Sequence, residues 1–162
     1  MTRQVVLDAS ALLAVVFDEA GSERVIPRLA VASISAVNYS EVLAKQVQRG
    51  ADLTLVVEGL RALNLETISW DTDLAELSVD LSPLGWTHGL SFGDRACLAT
   101  ARRLRRTVLT AERAWRKLPR LGSISNSFVD RRGPATAANF AGGVWQRSES
   151  EPHSKLRFER RP

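Results

Sequence analysis

Val5-Val6-Leu7-Asp8-Ala9-Ser10-Ala11-Leu12 is the stretch that decides the fold. A short apolar run stops at an aspartate, and Ser10 to Phe17 then carries helical apolar spacing, so a buried strand is predicted to feed straight into a helix. The pattern recurs downstream. Ser22 to Ala30 reads as a second helix, Val31 to Ile34 as an extended piece, and Ala36 to Arg49 as a third helix with Val37, Val42 and Leu43 inward and Gly50 as its stop. Asp52 caps a fourth helix through Leu55, Val56, Leu60 and Leu63. Glu66 to Trp70 alternates like a strand, and Asp71 to Leu84 returns to helix, with Pro83 and Gly85 as its end. Ser91-x-x-Asp94 is a capping box opening a helix to Arg105, and Thr107 to Thr110 is the next strand. A short helix over Ala111 to Leu118 and a weak edge strand within Leu121 to Val129 complete the pattern. Strands alternating with helices imply right-handed crossovers, hence an α/β fold whose mainly parallel sheet is covered on both faces.

The 162 residues, 44% hydrophobic and 25% charged, suffice for one domain with a core. A single cysteine, Cys97, rules out an internal disulfide, and a cytoplasmic location is the expectation. The longest apolar run, Ala9 to Phe17, lies between Asp8 and Asp18 and falls well short of the ~20 residues that cross a bilayer. Asp8 also interrupts any secretory signal. The net charge is +4, but residues 130–162 carry seven Lys/Arg against four acids, which leaves a nearly neutral body. That body is segregated: Glu66 to Asp94 holds acids and no Lys or Arg, whereas Arg95 to Arg120 holds nine basic residues and only Glu112 as an acid.

Asp8, Glu41, Asp94 and Glu112 occupy the positions where a parallel sheet places its chemistry, beyond the carboxyl ends of strands near the switch in strand order. Each also has a structural reading. Asp8 or Ser10 caps the first helix, Glu41 pairs with Lys45, Asp94 is the third residue of its capping box, and Glu112 complements a helix dipole or reaches Arg116. The functional reading is a carboxylate cluster for Mg²⁺ or Mn²⁺, hard cations that take oxygen ligands and retain waters for a phosphate substrate.

Val5 to Leu12, Asn38-Tyr39-Ser40-Glu41-Val42, Leu90-Ser91-Phe92-Gly93-Asp94-Arg95-Ala96-Cys97-Leu98-Ala99 and Leu109-Thr110-Ala111-Glu112-Arg113-Ala114-Trp115 resemble, in order and spacing, the motifs of PIN-domain ribonucleases, specifically VapC-type toxins. The resemblance covers about residues 3–120. It implies a three-layer α/β/α domain, a Mg²⁺- or Mn²⁺-dependent endoribonuclease acting on RNA, and a cognate antitoxin that blocks the acidic site. Asp8, Glu41 and Asp94 match the family's three principal metal acids. Glu112 stands where the family usually has Asp, and Ser10 and Thr110 match polar positions that orient water or phosphate. The ordinary pattern is lost near Leu121, so residues 1–129 are assigned to the nuclease domain and 130–162 to an atypical, disordered tail.

Among the basic residues, Arg95, Arg102 and Arg113 are candidates for RNA-backbone contact, with a solvated helix face as the alternative. His88 reads as a surface loop residue, Cys97 as core, and the dispersed tryptophans Trp70, Trp86, Trp115 and Trp145 as packing or interface. The apolar faces of the third and fourth helices exceed what one small sheet needs, which points to a homodimer or an antitoxin groove. Two rivals remain: a PIN-fold binding protein weakened in catalysis, and a phosphohydrolase using Asp8 as a covalent nucleophile, for which Ser10 stands where a second Asp is wanted.

Overall fold

The computed structural model describes residues 4–112, Trp115, Lys117 and Leu118, and the backbone of strands at 126–128, 143–147 and 156–160. In chain order the elements are β1 (Val5–Leu7), α1 (Ala9–Val16), α2 (Ser22–Val25), a 3-10 stretch (Ile26–Val31), β2 (Ala32–Ser35), α3 (Ala36–Gln48), α4 (Leu53–Ala62), β3 (Glu66–Ile68), α5 (Thr72–Asp80), α6 (Ser82–His88), α7 (Phe92–Leu104), β4 (Thr107–Thr110), β5 (Asn126–Phe128), β6 (Gly143–Arg147) and β7 (Leu156–Arg160). Strands β1 to β5 form one parallel sheet in the order β3-β2-β1-β4-β5. Chain progression from β1 runs outward through β2 and β3, then returns to the other side of β1 with β4. The switch in direction therefore lies between β1 and β4, where the crevice of an open α/β sheet opens.

The pleat divides the core in two. Val5 and Leu7 face α1, α2, α3 and α4, packing with Leu12, Val15, Val25, Ile34, Val42, Val56 and Leu60. Val6, pointing the other way, packs with Leu74, Leu81, Cys97, Leu98, Val108 and Trp115 on the side of α5 and α7. The result is the three-layer α/β/α arrangement expected from the sequence, with a wholly parallel central sheet. No described helix is long and apolar enough to cross a membrane.

Two helices differ from the sequence reading. Pro27 sits in the first turn of the 3-10 stretch, so the expected helix over 22–30 is two short pieces. The helix capped by Asp71 stops at Asp80, and Pro83 ends nothing: it occupies the first turn of a second helix, α6, where a missing N–H costs nothing, and α6 runs on through Gly85. The stop is Gly89, whose φ of 67° is left-handed and suits a residue without Cβ. His88 consequently closes a helix and does not sit in a loop. Residues 113, 114 and 116 of the expected helix over 111–118 lie outside the described residues, as do 121–125 and 129 of the edge-strand region, which is a strand at 126–128. Within 130–162, β6 and β7 pair antiparallel; the remainder of that segment lies outside the described residues.

Candidate active site

The site is built where capped helices leave the sheet. Asp8 follows β1 and is the N-cap of α1, accepting from the Ser10 backbone N–H at 3.2 Å. The same Oδ2 accepts from the Ser10 hydroxyl and from Thr110 Oγ1 at 3.1 Å, while Asn38 Nδ2 lies 3.4 Å from Oδ1. Capping and site-building thus use one carboxylate. At 4% exposure Asp8 is buried, and that burial, reinforced by the nearby Asp94 charge, raises its pKa from 3.8 to about 6 against the opposing hydrogen bonds from Ser10 and Thr110. Ser10 and Thr110 are fixed in turn: the Ser10 hydroxyl accepts from Ala111 N, and Thr110 Oγ1 accepts from Glu112 N, both at 3.0 Å. These bonds tie the β1 and β4 sides of the crevice together.

Asp94 likewise serves twice. It completes the predicted capping box of α7, with Ser91 N donating to Oδ2 at 2.6 Å and Asp94 N donating to Ser91 Oγ at 3.1 Å. Its other oxygen, Oδ1, accepts from the Trp115 indole Nε1 at 3.2 Å. Glu41 projects from α3 so close to α7 that a Cβ on Gly93 would stand 2.8 Å from Glu41 Oε2; a side chain there would displace the carboxylate. Partial burial raises the Glu41 pKa, and Asp94 and Glu112 raise it further while Lys45 opposes them. Asp8, Ser10, Glu41, Asp94 and Glu112 line a single cleft of about 400 Å³, so the four predicted acids are brought together. Cys97, buried behind them, has its thiol pushed well up by burial and by the charges of Asp8, Asp94 and Glu41, which leaves it inert as a nucleophile.

The profile described as "PIN domain" matches residues 5–121. The chain belongs to the PIN-domain family. Its fold is similar to a VapBC-5 toxin–antitoxin structure from Mycobacterium tuberculosis (22% identity, TM-score 0.55, covering 79% of this chain and 100% of that one), and to VapBC2 from Rickettsia felis bound to a promoter DNA fragment (13%, TM-score 0.59, 78% and 98%). A toxin–antitoxin complex from Klebsiella pneumoniae aligns at 18% identity and TM-score 0.57, covering 75% of this chain and 96% of that one. No curated protein sequence matches it.

Within this PIN domain, two participants escape a reading based on charged residues. Asn38 is fully buried and joins three elements: it accepts from Ser35 Oγ, approaches Asp8, and donates to the Gly93 carbonyl at 3.2 Å. Its place in the Asn38-Tyr39-Ser40-Glu41 phrase was the available signal. Trp115 was expected to be packing, and it is buried at 1% exposure, yet its ring also carries the donor to Asp94. Two of the cationic candidates stand outside the cleft lining. Arg95 is half-buried with Nη1 on the Leu90 carbonyl, Arg102 is exposed 3.9 Å from Asp80, and Arg113 lies outside the described residues. The cations that line the cleft, among the described residues, are Lys45 and Arg49.

Proposed function

We infer that this PIN domain is a metal-dependent endoribonuclease, using Mg²⁺ or Mn²⁺, that acts as the toxin of a toxin–antitoxin pair. The observation that carries the reading is the buried Asp8, its pKa lifted to about 6, in one cleft with Glu41, Asp94 and Glu112. The donor set suits a hard divalent cation, being all carboxylate oxygen, with Asp8 and Glu41 raised in pKa by burial and by the nearby Asp94 charge. Among the described residues no group of three or more His, Cys, Asp or Glu side chains stands placed to hold a metal ion by itself. Mg²⁺ asks for fewer protein ligands, since it keeps several waters and is bound through one or two carboxylates together with substrate phosphate. Asp8, Glu41 and Asp94 would hold the ion, with Glu112 at the outer edge. When bound, such an ion acidifies water and offsets charge developing on a phosphoryl oxygen.

The chain's own residues supply orientation. Ser10, Thr110 and Asn38 fix both oxygens of Asp8, and Ser91 and Trp115 fix both oxygens of Asp94, so neither carboxylate needs to reorganise when a phosphodiester arrives. The phosphohydrolase rival asks Asp8 to attack phosphorus directly. A carboxylate that is 4% exposed with both oxygens engaged is poorly placed for that.

The VapBC complexes among the structural neighbours support a protein antitoxin as partner, and Val47 on α3 and Leu53 at the start of α4 leave apolar surface suited to an antitoxin or to a second copy in a homodimer. A cytoplasmic site of action accords with an RNA substrate. Residues 1–129 form the nuclease unit in this reading, and 130–162 are dispensable to it. The test is incubation of the purified chain with total RNA and Mg²⁺ or Mn²⁺, with and without chelator, followed by mapping of RNA ends. Discrete new ends that vanish with chelator are expected; RNA left intact under every metal condition contradicts the assignment.

A further inference from the structure

The cleft has two chemically different ends. Helix α1 runs along it, with Asp8 as its N-cap and Phe17 as its C-cap, roughly 13–14 Å apart at 1.5 Å of rise per residue. Helix α3 runs beside it, carrying Glu41, Lys45 and, at its C-cap, Arg49 at successive four-residue intervals that share one side. Lys45, Arg49, Leu13, Phe17 and Glu19 line the cleft together with the acids. The end beside Asp8 is therefore acidic, and the end beside Phe17 sets two cations against one carboxylate.

Arg49 is held in a particular way. Its guanidinium carbon lies over the Phe17 ring, 3.7 Å from the centroid, while the residue as a whole stays exposed, so the ring takes up one side of the group and leaves Arg49 open to a ligand. The ion pairs formed among the described residues engage neither Lys45 nor Arg49. A guanidinium stacked in advance loses less freedom on engaging an oxyanion, and its fork matches phosphate. Lys45 stands between Arg49 and Glu41, where it lowers the Glu41 pKa and bridges the two ends electrostatically.

We propose that Phe17, Lys45 and Arg49 form a phosphate-binding subsite that grips the backbone of single-stranded RNA next to the phosphodiester lying at the acidic end. This rests on the nuclease reading for its substrate. It assigns to α3 the backbone contact that sequence reasoning looked for in Arg95, Arg102 and Arg113. A strand entering the cleft would meet Arg49 and Lys45 first, and these cations offset the repulsion between RNA phosphates and the carboxylates beyond them.

The test uses the full chain and a fluorescently labelled single-stranded oligoribonucleotide in chelator, measuring the dissociation constant over a range of salt concentrations. Arg49→Gln is expected to weaken binding about tenfold and to lower the slope of log affinity against log salt by about 0.7, the value for one lost single-strand phosphate contact. Lys45→Gln is expected to act similarly, and Phe17→Leu to weaken binding without changing the slope. Arg49→Lys is expected to keep the slope while losing part of the affinity, because charge remains and the stacked fork does not. Calorimetric Mn²⁺ affinity is expected to stay unchanged in Arg49→Gln, which separates the subsite from the acids and reports that the fold persists. RNA cleavage by the wild type, with unaltered affinity and slope in Arg49→Gln, overturns the subsite and leaves the nuclease reading standing. Slope loss in Arg49→Gln without cleavage under any metal supports the subsite and contradicts that reading. Absence of RNA binding by the wild type overturns the proposal.

Discussion

The two ends of the central sheet treat their carboxylates in opposite ways. At the amino end, Glu66 opens β3 beside Arg106, the residue before β4: Arg106 Nη1 is 2.5 Å from Glu66 Oε2, which also accepts from Ser33 Oγ at 2.7 Å. The Arg106 hydrogen bond, with help from Ser33, holds the Glu66 carboxyl below its usual range. At the carboxyl end, Asp8 has only hydroxyl, amide and backbone donors, an acid for a neighbour, and a pKa of about 6. One end closes three strands with a satisfied ion pair; the other gathers acids that no ion pair among the described residues engages, with Lys45 opposing them only at a distance. A fold that neutralises an acid at one end of its sheet and concentrates acids at the other is partitioned between stability and chemistry.

The largest effect that would sharpen this contrast is expected from Asp8→Asn and Asp94→Asn, each cutting RNA cleavage by at least ~100-fold with the fold intact, since a neutral amide is a poor ligand for a hard cation. Near-normal cleavage by either folded variant would break it. The Asp8 change also has a stability signature. Its folded pKa of about 6 exceeds the ordinary 3.8, so folding favours the protonated acid. That contribution is whole below about pH 4 and is lost as pH rises through 6. Relative to wild type, metal-free Asp8→Asn is therefore expected to gain up to about 3 kcal/mol between pH 4 and 8, as followed by denaturant unfolding. A constant difference over that range contradicts the burial argument.

Next in size is Trp115→Phe, which keeps an aromatic ring in the core and deletes the donor to Asp94. About a tenfold fall in cleavage by the folded variant is expected, with a stability loss of about 1–3 kcal/mol from the space the smaller ring leaves. Glu112 is exposed at the cleft edge, so Glu112→Gln is expected to lower cleavage less than Asp8→Asn does, and Glu112→Asp to preserve or raise it. Equal, near-wild-type rates for both would confine the site to Asp8, Glu41 and Asp94, and would leave Glu112 a dipole role worth about 0.3–1 kcal/mol. The smallest effect is expected from Arg106→Gln: up to about 1 kcal/mol of stability with unchanged cleavage. Loss of activity there would show that the two ends are not separable.

The sheet and its site were legible because their signals are local. Val5 to Leu7 stopping at Asp8, the Ser91 capping box and the Thr107–Thr110 run are each fixed by neighbours in sequence, and each is found with its predicted partners. Pro83 misled because a proline that ends one helix and a proline that starts the next look alike in sequence; α5 stops at Asp80, Pro83 opens α6, and the left-handed Gly89 closes it. The roles of Asn38, Trp115 and Arg49 were hidden for a different reason. Each depends on contacts with distant parts of the chain, Asn38 with Gly93, Trp115 with Asp94 and Arg49 with Phe17, and residue type alone does not reveal them.

The most direct test of the partition is calorimetric titration of Mn²⁺ into the wild-type chain, Asp8→Asn and Glu66→Gln. Binding by the wild type, retained in Glu66→Gln and abolished in Asp8→Asn, is the expected result. A wild type that takes up no Mn²⁺, or an Asp8→Asn variant that binds it as well as the wild type, contradicts the account.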